Sequence, residues 1–394
     1  MIRTLVACTA EIDDADQAVA EIARQLDLKS SLLKSAVAIV ACHYEFVLSG
    51  VAKAICGSLP FSTVGTITSA QAVPGECGGL LFTLMVLTSD DVEFAPGLTP
   101  SLLGGASEQA IEQSYRDAVS ASGAGPGERP ALIFAFAPFI IENSGDTYVG
   151  ALTRLSGGVP CFGTLAVDDT NSFANCFMLY DGEQYRDRMG MVLLFGDVSP
   201  QFCIATISEN KIVSDEALVT KSAGHVLIDV NNRPVLDYFE KYGLTKAAET
   251  QYAMTSLPFM LDYGDGTPPV SKVFISLTPE GHAICASMMP EGARMKIGVF
   301  DRDDVLLTTS GAIDSASACM AGGGASGALI YSCISRNMTL GANQTAEMEL
   351  VGDRLRGAAP YMMAYSGGEI CPTQVSGAGA VNRFHNNAFV MCIF

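Results

Sequence analysis

The sequence predicts a mixed α/β protein of the α+β kind, with two domains, each a mostly antiparallel or mixed β-sheet layered with α-helices. Three observations predict it. The chain has 394 residues, more than the ~250–300 at which a single core stops growing. Apolar runs of strand length alternate with segments of helical periodicity. Apolar residues make up 49% and charged residues 16%, so there is enough apolar surface to collapse.

In chain order, Leu5 to Ala7 opens a strand, and Asp13 or Asp14 caps a helix that runs to Leu26 with Ala18, Ile22 and Leu26 on one face. Ala36 to Ala41 is a short apolar strand and Phe46 to Leu59 is helical in spacing. Phe61 to Ser69 and Gly79 to Thr88 are strands around a turn at Pro74 and Gly75. Ser107 to Val119 is amphipathic, with Gly123 just past its end. A strand at Ala131 to Phe136 and a helix at Asp146 to Leu155 precede four strands (Val159 to Leu165, Phe173 to Tyr180, Met189 to Phe195, Phe202 to Ser208) whose succession suggests a meander.

Pro200 marks the expected boundary, giving domains 1–200 and 201–394. Beyond it, Lys211 to Val230 holds short strands, and Pro234 and Gly243 bracket a helix at Val235 to Tyr242. Strands follow at Lys272 to Leu277, Ala283 to Ser287 and Arg294 to Phe300, a helix at Asp303 to Ala321, and a strand at Ala328 to Ser332. Asn343 is placed to cap a helix with Glu347 and Glu349 early and Arg354 and Arg356 late, matching the macrodipole. Met362 to Tyr365 and Arg383 to Phe394 are the closing strands. No short-period repeat is visible.

Charge and length exclude several functions. With 42 acidic against 23 basic residues the net charge is -19, which repels phosphate backbones and anionic membranes, so nucleic acid is not an expected partner. No segment reaches the ~20 apolar residues of a membrane span, and the first residues lack a secretory pattern, so the expectation is a cytoplasmic protein without membrane insertion. The 12 cysteines are scattered without CxxC spacing and the four histidines are isolated, so no metal site is expected. No HExxH, P-loop or GxSxG motif occurs, nor a GxGxxG after a strand, and no enzyme activity is expected.

The polar groups concentrate in GALIYSCISR (327–336), YSGGEICP (365–372) and RFHNN (383–387). Arg336 ends an apolar strand, Glu369 follows a glycine pair, and His385 with Asn386 opens the last strand. A guanidinium suits a ligand carboxylate and a carboxylate suits a ligand amine, so the set fits a zwitterion; alternatively Arg336 and Glu369 pair with each other and His385 caps a loop. Cys333 with His385 and Asn386 forms a possible nucleophile and base, against which stands the inertness of a thiol in an apolar strand. Gly322 to Gly324 is either an anion cradle or a tight turn. Asp168 and Asp169 hold a cation or ligand amine, or form a solvated turn.

These clusters resemble the FIST family, named for F-box and intracellular signal transduction proteins, through both its N-terminal and C-terminal domains. GALIYSCISR resembles an apolar strand ending S-C-x-x-R, YSGGEICP a Gly-Glu-Ile segment, and RFHNNAFVMCIF an F-H-N closing strand. Val64 to Ser69 and PCFGTLAVDD (160–169) resemble the N-terminal motifs, with departures at Ala70, Gln71, Phe162, Gly367 and Asn387. The resemblance implies a sensory module for small ligands such as amino acids, usually joined to kinase, cyclase, chemotaxis or ubiquitin-ligase modules. Here it implies a stand-alone sensor acting through a separate signalling protein or as a homo-oligomer. Arg336, Glu369, His385, Asn386, Cys333, Tyr365, Asp168 and Asp169 are the ligand-site candidates. No cofactor is expected; haem held by His43 or His385 is the alternative binding role, and a Cys333-dependent hydrolase or transferase the alternative activity.

Overall fold

Strands from one stretch of chain complete sheets begun by another. The computed structural model describes residues 1–125, 127–140, 143–170, 173–245, 257–320 and 325–394. The Gly322 to Gly324 run lies outside the described residues. Among these residues there are three six-stranded sheets and one of seven strands.

The three six-stranded sheets share one topology. The first has the order Ile2–Thr9, Phe82–Ser89, Ser35–Cys42, Thr63–Ile67, Met178–Tyr180, Glu183–Tyr185. The second has the order Glu93–Leu98, Gly190–Phe195, Leu132–Ala137, Cys161–Leu165, Glu369–Ser376, Gly379–His385. The third has the order Gln201–Ala205, Phe389–Ile393, Ala328–Cys333, Tyr361–Ser366, Gln71–Val73, Glu76–Gly78. In each, the middle two strands are parallel and joined through helices, and every other pairing is antiparallel. In each, the last two strands are a hairpin donated by a different part of the chain.

The chain is therefore three successive repeats of strand, helix, strand, helix, strand, hairpin, strand. The hairpin after Thr63–Ile67 completes the third sheet, the hairpin after Tyr361–Ser366 the second, and the hairpin after Cys161–Leu165 the first. This corrects the meander expected over residues 159–208. Cys161–Leu165 and Gly190–Phe195 lie in the second sheet, Met178–Tyr180 in the first and Gln201–Ala205 in the third. Strands on either side of residue 200 share sheets.

The middle strands are buried on both faces, so their sequences read as continuous apolar runs. Val37, Ile39 and Ala41, Leu132, Phe134 and Phe136, and Leu329 and Tyr331 point into one core common to all three sheets. Their alternate neighbours face helices outside it. Ala38, Val40 and Cys42 meet Ala18, Ile22 and Leu26 of the helix Ala15–Leu26. Ile133, Ala135 and Ala137 meet the helices Ser107–Ala121 and Gly145–Ser156. Ala328 and Ile330 meet the helices Arg302–Met320 and Ala346–Arg354. At the centre, the Phe162 ring lies 5.7 Å from Tyr331 and 6.5 Å from Phe134, which joins the second sheet to the third.

The seven-stranded sheet interrupts the third repeat. It comprises Ala217–Ala223, Arg294–Ile297, Pro258–Asp262, Val270–Leu277, Ala283–Cys285, Val226–Val230 and Arg233–Pro234. Ala217–Ala223 also pairs with Val226–Val230, so the first six strands close into an antiparallel barrel with no free edge. Its interior holds Val219, Leu227, Phe259, Phe274, Met295 and Phe239 of the helix Val235–Lys241.

Local differences from expectation have local causes. The helical stretch at Phe46 to Leu59 is two helices, Tyr44–Leu48 and Val51–Gly57, because Gly50 adopts a left-handed conformation at φ 81°. Asn343 does not cap Ala346–Arg354; Thr345 occupies that position without a side-chain bond. Arg336 lies not at a strand end but within the helix Ile334–Thr339.

Gly65 and Gly163 occupy equivalent register positions, opposite Val40 and Ala135 in the parallel pairs. A Cβ at either would collide with the facing carbonyl oxygen, whereas one on Gly150, in an exposed helical position, meets nothing. Gly163→Ala is therefore expected to lose at least ~3 kcal/mol of unfolding free energy, the upper end of overpacking costs, while Gly150→Ala gains ~0.5–1 kcal/mol. Denaturant melts of the two variants check this, and equal effects would refute it.

Candidate functional site

Arg336 is fully buried, with Nε and Nη2 engaged inside the protein and Nη1 without a partner among the described residues. Nε and Nη2 donate to Glu347 Oε1 at 3.0 and 2.8 Å, and Nη2 also donates to the Val305 carbonyl at 3.0 Å and Thr309 Oγ1 at 2.7 Å. Ser332 Oγ donates to the other Glu347 oxygen at 2.7 Å. The pair thus braces the helices Arg302–Met320 and Ala346–Arg354 against the third sheet. The expected clasp on a ligand carboxylate, and the alternative pairing with Glu369, are both corrected: the guanidinium faces Glu347 and lines no cavity described here.

Glu369 and His385 are directly opposite in their hairpin, yet their side chains keep different company. Glu369 is buried and bonds Ser366 Oγ, with Cys333 and Arg336 nearby; burial pushes its carboxyl up to about 8. His385 Nε2 donates to the Cys371 carbonyl at 3.0 Å, and burial pushes the ring down to about 4, so it is neutral. The Cys333 thiol is pushed up to about 12 by burial and by Glu369. Cys333 and His385 share no hydrogen bond: the imidazole Nε2 is engaged by the Cys371 carbonyl and Nδ1 is buried without a partner among the described residues. Tyr365 is buried beside Glu347 and Arg336, and burial pushes its hydroxyl well up.

The acidic pair divides. Asp168 is buried and accepts from Thr170 N, Thr170 Oγ1 and Asn175 N at 3.2, 2.9 and 2.9 Å, closing a local turn. Asp169 is exposed and faces His43 Nε2 at 3.2 Å. His43 Nδ1 accepts from Glu45 N at 3.3 Å, so both ring nitrogens of this histidine are engaged. Both aspartates line a polar cavity of about 370 Å³ with Ser69, Asn337, Gln344 and Thr345. No group of three or more metal-ligating side chains occurs among the described residues.

Two of the sequence candidates, Cys333 and Asn386, line a different cavity of about 280 Å³. One wall comes from the second and third sheets and the segments at their ends: Phe139, Ser144, Leu165, Phe173, Ile334 and Gly367. The opposite wall is the outer face of the barrel, with Val273, Ile275, Ile284, Ala286 and His225. Alternation places the barrel residues, since Phe274, Ala283 and Cys285 point into the barrel core and leave Val273, Ile275 and Ile284 outside. Phe173 and Ile334 border both this cavity and the polar one. His225 and the barrel residues carry no polar signature in the sequence that marks them as site residues.

The polar fastenings of the barrel to the body flank this cavity. Lys272, fully buried, donates to Asp146 Oδ1 at 3.0 Å and to the Phe384 carbonyl at 2.7 Å. Burial pushes its ammonium down, but Asp146 and Tyr263 more than offset this and hold it up. Met288 N donates to Asp146 Oδ2 at 2.9 Å, Asn386 N to the Ser271 carbonyl at 2.9 Å, and Ser287 Oγ to Asn386 Oδ1.

Residues 36–233 match the FIST N domain and residues 235–372 the FIST C domain. The chain belongs to the FIST family. FIST domains are associated with the sensing of small ligands in signal transduction. The division between the two FIST matches falls inside the barrel, between Arg233–Pro234 and the helix Val235–Lys241. No curated protein matches the chain. Two Thermotoga maritima structures, PurLQS and phosphoribosylformylglycinamidine synthase II, align over 100% of this chain and 72% and 71% of theirs. Identities are 9% and 11% and both TM-scores are 0.20, so they carry no structural argument.

Two predictions concern the buried polar groups of this FIST protein. Arg336→Ala leaves Glu347 buried and unpaired, and is expected to cost ~3–5 kcal/mol in denaturant melts. Loss of ligand binding with unchanged stability would refute that structural role. Glu369, with a folded pKa near 8 against an ordinary 4.5, stabilises the fold below pH 4.5 and progressively less as pH rises towards 8. His385, held near 4 against 6.5, opposes this only between those values. Between pH 6.5 and 8, Glu369→Gln should therefore flatten the decline in stability seen in the parent protein, and an unchanged slope would refute it.

Proposed function

We propose that this FIST protein senses a small molecule by binding it in the 280 Å³ cavity between the three-repeat body and the inserted barrel. Occupancy is passed to a separate signalling protein through the orientation of the barrel. The observation that carries this reading is that the cavity walls come from two bodies that share no sheet. A ligand touching both walls has different contacts when they separate, and that difference is what shifts a conformational equilibrium. The cavity lies near the small end of the ~300–1,000 Å³ usual for ligand pockets.

We place the sensor in the cytoplasm, a reading supported by free cysteines with thiols raised by burial, such as Cys42, Cys161 and Cys392. No described helix is long and apolar enough to cross a membrane. A cysteine-dependent activity is disfavoured by the protonated, buried Cys333.

A thermal-shift screen of small metabolites against the parent protein and Ala286→Phe tests the proposal. Ala286 lies on the barrel wall, and a phenyl ring there fills the cavity. The expected result is a compound that raises Tm by a few degrees in the parent and by none in the variant, in line with ~2.7 kcal/mol of stabilisation at a hundredfold excess over Kd. Equal shifts in both proteins would remove the cavity as the site.

A further inference from the structure

We infer that the cavity takes an uncharged, largely apolar molecule carrying one hydrogen-bond acceptor, which the side-chain amide of Asn386 recognises. This rests on the sensor reading above and names its ligand class. It departs from the zwitterion that the sequence motifs suggest.

Three observations lead to it. First, no Lys, Arg, Asp or Glu lines the cavity among the described residues. Arg336 is engaged by Glu347, and Lys272 by Asp146 and the Phe384 carbonyl, while Asp168 and Asp169 line the adjoining cavity and not this one. A zwitterion here would leave its ammonium without a counter-charge and its carboxylate with only the imidazole of His225, at a cost of several kcal/mol for each uncompensated ion in an apolar chamber. Second, the wall is formed mainly by Phe139, Leu165, Phe173, Val273, Ile284 and Ile334, against which an apolar skeleton gains by leaving water. Its volume is close to twice the ~150 Å³ of an apolar cavity that holds benzene, so the fit is to a skeleton of one or two rings.

Third, Asn386 is 1% exposed and lines the cavity. Its Oδ1 accepts from Ser287 and its backbone N–H is taken by Ser271, but its Nδ2 donates to no described residue. A buried amide donor left over at a cavity wall is satisfied by an acceptor arriving with the occupant. Ser144 and Asn143 do not compete for that role. Ser144 Oγ is bonded to Asp146, and Asn143 Nδ2 to the Leu102 carbonyl. The charge of -19 acts in the same direction, since it disfavours the approach of anionic relatives of the same skeleton.

A panel on one skeleton tests this by saturation-transfer NMR and titration calorimetry: acetophenone, ethylbenzene, 2-phenylethylamine, phenylacetate and phenylalanine. Acetophenone is expected to bind at least tenfold more tightly than any charged member and about fivefold more tightly than ethylbenzene. Asn386→Ala should abolish the preference for the ketone over the hydrocarbon while leaving both bound, and Ala286→Phe should abolish binding of both. If Asn386→Ala does not fold, the ketone preference in the parent protein still decides the acceptor requirement. Tighter binding of a charged member, lost in Ala286→Phe, would overturn the ligand class and leave the sensor cavity standing. Equal binding of ketone and hydrocarbon would overturn the role of Asn386. No binding by any member would overturn both the ligand class and the cavity.

Discussion

The structure depends on the exchange of hairpins among the three repeats. Each six-stranded sheet ends in two strands from another repeat, and the second strand of each parallel pair has its outer side satisfied only by that donated hairpin. A repeat by itself would leave that side as an open edge, with unpaired backbone groups next to a fully apolar face. The shared core has the same consequence, since Phe134, Phe162, Tyr331 and Met85 are buried by residues of other repeats. Folding must therefore bring distant segments together early, and the body behaves as one cooperative unit rather than as a chain of modules.

Against this interlocked body, the barrel is the part free to act separately. It has its own core and closes its own edges, so it needs nothing from the body to satisfy its backbone. It is attached by the two chain crossings that lead into and out of it, by the packing of Met260 against the cluster that includes Val305 and Leu340, by the Arg383–Asp265 ion pair, and by a set of buried polar contacts. These centre on Asp146, which receives Lys272 and Met288, and on Asn386, which receives Ser287 and donates to Ser271. Asp146 lies in the first turn of the helix Gly145–Ser156, whose dipole also stabilises the carboxylate. The cavity adjoins these contacts, with Ser144 and Gly145 on one side and Val273 on the other. The cavity thus lies where two bodies that share no sheet meet.

Many elements were legible in the sequence and their partners were not; Arg383 to Phe394, expected as one closing strand opened by His385, is split at Asn387 (φ 50°) into Gly379–His385 of the second sheet and Phe389–Ile393 of the third. Runs such as Ala131 to Phe136 and helices such as Ser107–Ala121 follow from local periodicity and are found within a residue or two. Sheet membership is decided by contacts hundreds of residues apart. Nothing between Val159 and Ser208 records that its four strands serve three sheets. The same limit applies to the site. Of the motif residues, Cys333 and Asn386 line the cavity, and nothing in the motifs points to the partner of Arg336. Glu347 was legible as an acidic residue in the first turn of a helix; only the packing of that helix turns its carboxylate inward onto the guanidinium. The outer barrel face was missed because an apolar residue on a half-covered strand looks the same whether it meets a wall or a ligand, and His225 because it is an isolated histidine in the turn between Ala217–Ala223 and Val226–Val230.

The polar residues that make the FIST motifs recognisable do structural tasks at the points where the repeats meet. Arg336 and Glu347 tie two helices to the third sheet, and Glu369 and His385 sit on the hairpin that crosses from the third repeat to the second. Such groups tolerate little change, because a buried donor or charge that loses its partner costs more than an apolar contact does. The wall of the cavity is under no such constraint. Exchanging one aliphatic residue for another on the outer strands of the barrel alters volume and shape by small increments and leaves every buried charge paired. In this arrangement the motif residues are tied to the architecture, while the apolar wall of the chamber can change in volume and shape without unpairing them.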